Sequence, residues 1–246
     1  MHHDLSSTSL PTFSGQVVSK GHNPQQDIPF ASVVVPTFQE APAHGLSRSG
    51  LLAARREHLI VKRMLDVTIG LLALVMATPV LLAAALAIRL TSAGPILFVQ
   101  QRPGRGGQLF PMFKLRTMYL DADQRRSDRL RKARTDPRIT PVGRVLRTLS
   151  IDELPQLLNV LRGEMSLVGP RPLMIHEYAI YGPRERCGLL AKPGLTCTWQ
   201  VNGRSNIDYV QKAEMDLSYI QEWTLGIDLW LLLRTIPAVL SRRGAY

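Results

Sequence analysis

The sequence predicts an α+β fold, predominantly helical and carrying a membrane segment. Three observations point to it. The run Val67–Ile88 carries no charged residue and has Pro79 near its middle. One hairpin signal supplies the β content: apolar stretches on both sides of Arg102-Pro103-Gly104-Arg105-Gly106-Gly107. The second half alternates apolar helical periods with Pro/Gly loops and ends in an apolar stretch broken by charges.

Residues 1–50 are rich in Ser, Pro, Gly, His and Gln and hold no sustained apolar period. They are expected to form a disordered extension. No basic lead into an apolar core follows Met1, so a secretory signal is not expected. Residues 51–63 predict a basic amphipathic helix, and 64–90 the membrane segment. As a straight helix, Val67–Ile88 would span about 33 Å at roughly 1.5 Å per residue, enough to cross a bilayer core. Two features offer another course. Pro79 removes a helical hydrogen bond, and the Thr78 hydroxyl can bond a freed carbonyl. Basic residues flank both ends, Lys62 and Arg63 before and Arg89, Arg102 and Arg105 after. Basic flanks tend to stay cytoplasmic, which favours both ends on one side. On the residues alone, a crossing helix and a re-entrant helix turning at Thr78-Pro79 both stand open.

Residues 91–246 predict a cytosolic domain. Ile96–Gln101 and Leu109–Leu115 are the strands of a small β-hairpin, with Pro111 suited to an edge. Residues 117–133 suggest a solvated helix and 136–143 a loop. Leu154, Leu157, Leu158 and Leu161 recur at helical spacing, and Gly163 ends that helix. Ser166–Pro172 is extended, its prolines holding the chain around Arg171. A helix near 173–181 and a loop with Pro183 follow. Residues 207–222 predict an amphipathic helix. The stretch 223–240 is interrupted by Asp228, Arg234 and Pro237, so an interfacial helix is expected, with Trp223 and Trp230 as anchors.

The 246 residues carry a net charge of +11, most of it between Arg102 and Arg171. Such a block implies an anionic partner: nucleic acid, acidic lipid or a phosphorylated small molecule. The aromatic interleaving and recognition motifs of a nucleic-acid module are missing, so no nucleic acid is expected. Cys187 and Cys197 match no disulfide framework and no zinc spacing. Cys197 is expected to be inert, since nothing beside it in sequence would lower its pKa.

Asp152 and Glu153 are adjacent carboxylates at an apparent helix start. One reading is a capping box, Ser150 as N-cap and Glu153 three residues on. The other is chemical: an ionised Asp near Mg²⁺ can attack phosphorus, and Mg²⁺ takes one or two carboxylates plus substrate phosphates. Both stand on the residues alone. Arg125, Arg126, Arg129, Arg131 and Lys132 suit a solvated face. Lys114, Arg144, Arg147, Arg171 and Arg204 each lie beside a turn or a rigid Pro/Gly element, where a cation can be aimed at phosphate. His176 has no evident metal partner.

Six ordered motifs then become recognisable. They are Lys114–Met118, Asp136–Thr140, Gly143–Arg147, Asp152–Leu157, Ser166–Pro172, and Pro193–Thr196 with Trp199–Arg204. From Lys62 to Tyr246 the chain resembles the bacterial sugar transferases, the monotopic polyprenyl-phosphate phosphoglycosyl transferases that begin exopolysaccharide assembly. The resemblance implies a re-entrant helix broken at Thr78-Pro79, in place of the commoner Ser-Pro. It implies transfer of hexose 1-phosphate from a UDP-hexose to undecaprenyl phosphate with Mg²⁺, at the cytoplasmic face of the bacterial inner membrane. Asp152 is then the nucleophile, and Asp152 and Glu153 are the metal-binding dyad. Lys114, Arg116, Arg144, Arg147, Arg171 and Arg204 are expected at substrate phosphates. Pro170, Pro172, Gln200 and an acidic residue of the late helix, Asp216, complete the expected site. Cys197 stands where Gly is frequent. A homo-oligomer is compatible with this reading.

Overall fold

The computed structural model describes residues 56–122, 136–175, 177, 185–202 and 207–240. The expected N-terminal extension, most of the helices near 117–133 and 173–181, His176 and Arg204 lie outside them.

Helix α1, Arg56–Thr91, is one continuous run of 36 residues with Pro79 inside it. The basic helix and the apolar segment expected as separate elements are therefore one. The helical run also passes through Thr78-Pro79, where an interruption was expected. Pro79 deletes a single backbone donor, and the Thr78 hydroxyl turns back to the Leu74 carbonyl at 2.8 Å.

The residues of α1 that face protein recur at helical spacing. Leu59, Ile69, Ala73 and Leu74 meet one core, built on Leu157, Val160, Val168, Trp223 and Leu231, and the buried Asp66 bonds Ser166 and Leu167 beside it. Ala84 and Ile88 meet a second, with Leu115 and Leu146. Both halves of α1 thus lie on the same body. Its other face leaves Met64, Leu71, Leu72, Met76, Leu82, Leu86 and Leu90 exposed.

Strands β1 (Leu97–Pro103) and β2 (Leu109–Leu115) form the expected antiparallel hairpin, closed by a tight turn at Arg105–Gly107. Its register pairs Phe98 with Lys114, Gln100 with Met112 and Arg102 with Phe110. Period-two alternation therefore puts Gln100, Arg102 and Lys114 on one face.

Helix α2 (Pro141–Thr148) begins earlier than the loop reading allowed, because Thr140 caps it by accepting from the Gly143 amide. A single 3₁₀ turn, Ile151–Glu153, leads to α3 (Gln156–Arg162), which Gly163 ends as expected. Strands β3 (Ser166–Val168) and β4 (Gly194–Thr196) pair in parallel. The short α4 (Thr198–Asn202), α5 (Tyr209–Glu222) and α6 (Leu225–Leu240) complete the chain.

Of the two expected anchors, Trp230 is 45% exposed beside Leu229, Leu233 and Ile236, as an interfacial residue requires, whereas Trp223 is 8% exposed and is not an anchor. Trp223 sits in the core because its indole N–H donates to Asp228, 3.0 Å away. Asp228 also accepts from the Tyr219 hydroxyl and takes the Lys62 ammonium at 2.6 Å. A charge that looked like an interruption in an apolar stretch instead ties α1, α5 and α6 together.

Candidate active site

The dyad sits on the 3₁₀ turn between α2 and α3. The turn is set by Ser150, which adopts φ 56°, a left-handed conformation rare for a residue with a side chain. Its hydroxyl makes no capping bond, so the capping box is not formed. The Glu153 amide bonds the Ser150 carbonyl instead, and the next helix starts only after Pro155. Asp152 is therefore not held at the N-terminus of a regular α-helix, as the capped reading supposed. It is buried, and burial followed by the neighbouring Glu153 pushes its carboxyl up from the ordinary value, against Lys114 and Arg147.

Glu153 has the opposite environment. Lys114, on the inward face of β2, places its ammonium 2.7 Å from Glu153 Oε1. Arg171 lies 3.9 Å from the same oxygen. Burial alone would raise Glu153, but Lys114, Arg171 and Arg102 outweigh it and bring it to about 2. Two adjacent carboxylates are thus driven apart by position.

Arg171 is aimed by its setting. Gly169 and Gly194 bring β3 and β4 so close that a Cβ on Gly194 would strike the Gly169 backbone. The Gly194 amide then bonds the Pro170 carbonyl at 2.8 Å. Pro170 and Pro172 are both buried on either side of Arg171. The guanidinium lies 5.4 Å from the centre of the Trp199 ring. Asp216, on α5, reaches the same place: Trp199 and the Arg171 backbone donate to it. Burial outweighs those bonds and the Arg171 charge and raises Asp216 to about 7. Among the described residues, one oxygen of Asp216 and the Gln200 side-chain oxygen are buried without a partner. Arg102, Lys114, Glu153, Gln156, Arg171 and Gln200 line one polar cleft.

A model of the bacterial sugar transferase family matches residues 57–242. The chain belongs to the bacterial sugar transferase family. It is 48% identical over 193 residues to the UDP-glucose:undecaprenyl-phosphate glucose-1-phosphate transferase of Caulobacter vibrioides, covering 75% of this chain and 72% of that protein. It is 40% identical over 200 residues to the exopolysaccharide production protein ExoY of Sinorhizobium fredii, covering 76% and 88%. With the undecaprenyl-phosphate galactose phosphotransferase of Salmonella typhimurium it shares 37% over 239 residues, 87% of this chain but 50% of that protein. The chain thus spans about half the length of that last relative.

In this sugar transferase the expected residues divide. Asp152, Glu153, Lys114, Arg171, Gln200 and Asp216 come together with Pro170 and Pro172. Arg147 is half-buried on α2 and its charge acts on Asp152. Arg144 is exposed on the same helix. Arg116 points elsewhere: its guanidinium donates to the Ser92 carbonyl and hydroxyl at 2.8 Å, closing the turn after α1. Asp136 and Arg138 grip each other at 2.7 Å. Arg102 was read in the sequence as a basic flank of the membrane segment and a turn residue, not as part of the site. It is buried, donates to the Pro172 carbonyl, and is lowered to about 10 by burial and Arg171. The strand alternation with Gln100 and Lys114 was the signal for it. Among the described residues no group of three or more His, Cys, Asp or Glu side chains gathers. Asp152 and Glu153, adjacent on one turn, are the one or two carboxylates that Mg²⁺ takes when phosphates supply the rest of its shell, so the residues fit that ion.

Proposed function

We infer that this transferase moves hexose 1-phosphate from a UDP-hexose to undecaprenyl phosphate, releasing UMP, at the cytoplasmic face of the bacterial inner membrane. The relatives named for glucose and galactose transfer support both hexoses as donors. The observation that carries the chemistry is the unequal dyad: Asp152 buried with no ion pair among the described residues, and Glu153 neutralised by Lys114 and Arg171.

The Asp152 carboxylate attacks the β-phosphorus of the UDP-hexose. The bond to the bridging oxygen breaks and UMP leaves, so the sugar phosphate is held on Asp152 as an acyl phosphate. An oxygen of undecaprenyl phosphate then attacks the same phosphorus and frees the Asp152 carboxylate. Arg171, Lys114 and Arg102 surround the cleft and offset charge developing on the phosphoryl oxygens, the main contribution expected for phosphoryl transfer. Asp152 and Glu153 are the residues that would hold Mg²⁺. When bound, it would neutralise the diphosphate and favour ionised Asp152.

The seating of α1 supports a lipid acceptor. It is long and apolar enough to enter a bilayer, its outer face is bare of charge along Val67–Ile88, and both halves rest on the body that carries the dyad. A re-entrant course fits that placement. The test is exchange of radiolabelled UMP into UDP-glucose or UDP-galactose on membranes. Exchange without lipid acceptor is expected, and a strict need for undecaprenyl phosphate would sink the covalent step.

A further inference from the structure

A second cavity, of about 190 Å³, lies at the N-terminal end of α1 and shares no lining residue with the dyad's cleft. Its walls are largely apolar, including Leu59, Val168, Ile220 and Trp223. Four cations border it: Lys62, Arg63, Arg105 and Lys192. The acidic groups nearby are already engaged. Asp228 holds Lys62, and Asp66 accepts from the Ser166 hydroxyl and the Leu167 amide. Arg63 is fixed by two bonds, to the Val160 and Leu161 carbonyls at the end of α3.

Lys192 is different. Among the described residues it has neither a hydrogen-bond nor an ion-pair partner for its ammonium. Its Nζ and the Arg63 guanidinium both lie against the same point above Gly163. Burial first, then Arg63, Arg105 and Lys62, push Lys192 below its ordinary value, with only Asp66 opposing among its neighbours. Cations that line an apolar cavity, one of them without a partner among the described residues, lack an anion.

We propose that this cavity binds the phosphate headgroup of an anionic membrane phospholipid, with Lys192 as its principal contact. Charge complementarity selects an anion. The apolar walls, and the contribution of Leu59, Lys62 and Arg63 from the membrane helix itself, select an amphiphile over a free ion. The site shares no lining residue with the cleft that holds Glu153. It rests on the membrane seating of α1 and needs nothing of the transfer chemistry.

The test uses the full chain purified in a neutral detergent, with thermal unfolding followed against dihexanoyl phosphatidylglycerol, dihexanoyl phosphatidylcholine and inorganic phosphate. Phosphatidylglycerol should stabilise the wild type saturably, and the other two should do so only at much higher concentration. Lys192→Gln should weaken the phosphatidylglycerol response about tenfold or more, as loss of a charge-assisted contact implies, while Lys192→Arg keeps it. Native mass spectrometry gives a readout independent of stability: co-purified phosphatidylglycerol should remain on the wild type and be lost from Lys192→Gln. UMP release in neutral lipid should be the same for both. Equal titrations of Lys192→Gln and wild type overturn the proposal, and so does inorganic phosphate matching the lipid. A chain that stays soluble without detergent overturns the membrane seating itself, a failure visible before any titration.

Discussion

Lys114 stands 2.7 Å from Glu153 across the gap between the hairpin and the dyad's turn, and this ion pair makes two adjacent carboxylates unlike. Without Lys114, burial would press harder on Glu153, with Arg171 and Arg102 left to oppose it, and the two negative charges would oppose each other's ionisation. Lys114→Met should therefore move the acid limb of the pH–rate profile to higher pH and lower kcat about a hundredfold, the order found when one charge-stabilising group is lost. Lys114→Arg should recover part of the rate. A pH profile of UMP release checks both.

Asp152→Asn should abolish UMP exchange and yet leave a more stable protein. Burial and Glu153 raise Asp152, so its folded value lies above its unfolded one. Its stabilising contribution is complete below the unfolded value and is lost as pH rises through the folded value. Near neutral pH the ionised form is therefore a net cost, which the amide removes. Thermal melts in detergent should show the variant a few degrees above wild type, and a lower midpoint would contradict the environment assigned to Asp152.

Asp216 gives a pH window of its own. It is raised to about 7, against about 3.9 for the unfolded chain. Stability supplied by its protonated form should fall from roughly pH 4 to about pH 7 and then level off. Asp216→Asn should remove that fall. The stability gap between variant and wild type should be small at roughly pH 5 and larger at roughly pH 8, measured by denaturant melts.

Much of this was legible in the sequence because it depends on local pattern. The hairpin follows from Ile96–Leu115, the end of α3 from Gly163, and the rigid setting of Arg171 from the prolines beside it. Elsewhere the folded setting, near or far in sequence, decided the outcome. Ser150 had the residue type of a cap, but the dyad's turn forced it left-handed and its hydroxyl makes no cap. Trp223 carried the signature of an interfacial anchor until Asp228, five residues later, took its indole. Arg116 lay within a family motif, yet the turn after α1 brings Ser92 to it. Arg102 was hidden because its role depends on Pro172, seventy positions away.

The Lys62–Asp228 pair joins α1 to α6 inside the protein, with side chains only 15% and 8% exposed. Replacing Lys62 by Met leaves the buried Asp228 carboxyl with Tyr219 and Trp223 as its side-chain partners among the described residues and without its cation. Loss of one partner of such a pair costs about 3–5 kcal/mol. Adding Asp228→Asn should restore a good part of that, because no unpaired charge remains. Urea melts of the two single variants and the double variant measure the coupling, and strict additivity would show that the pair contributes nothing.

The re-entrant course proposed for α1 can be tested at its two ends. A straight helix of 36 residues would be about 54 Å long at roughly 1.5 Å per residue, well beyond the roughly 30 Å bilayer core. Yet Asp66 near one end bonds β3, and Ile88 near the other packs on Leu115 and Leu146. A crossing helix would carry one of those contacts to the far side of the membrane. Glu57→Cys and Thr91→Cys, each in a Cys187→Ser background, place a thiol at either end. Cys197 should not interfere, since burial and then Asp216 push its thiol well up. An impermeant maleimide should label both new thiols in inside-out vesicles and neither in intact spheroplasts. Labelling of one end from each side would rule out the re-entrant course and, with it, the delivery of a lipid acceptor to Asp152 from the cytoplasmic leaflet along α1.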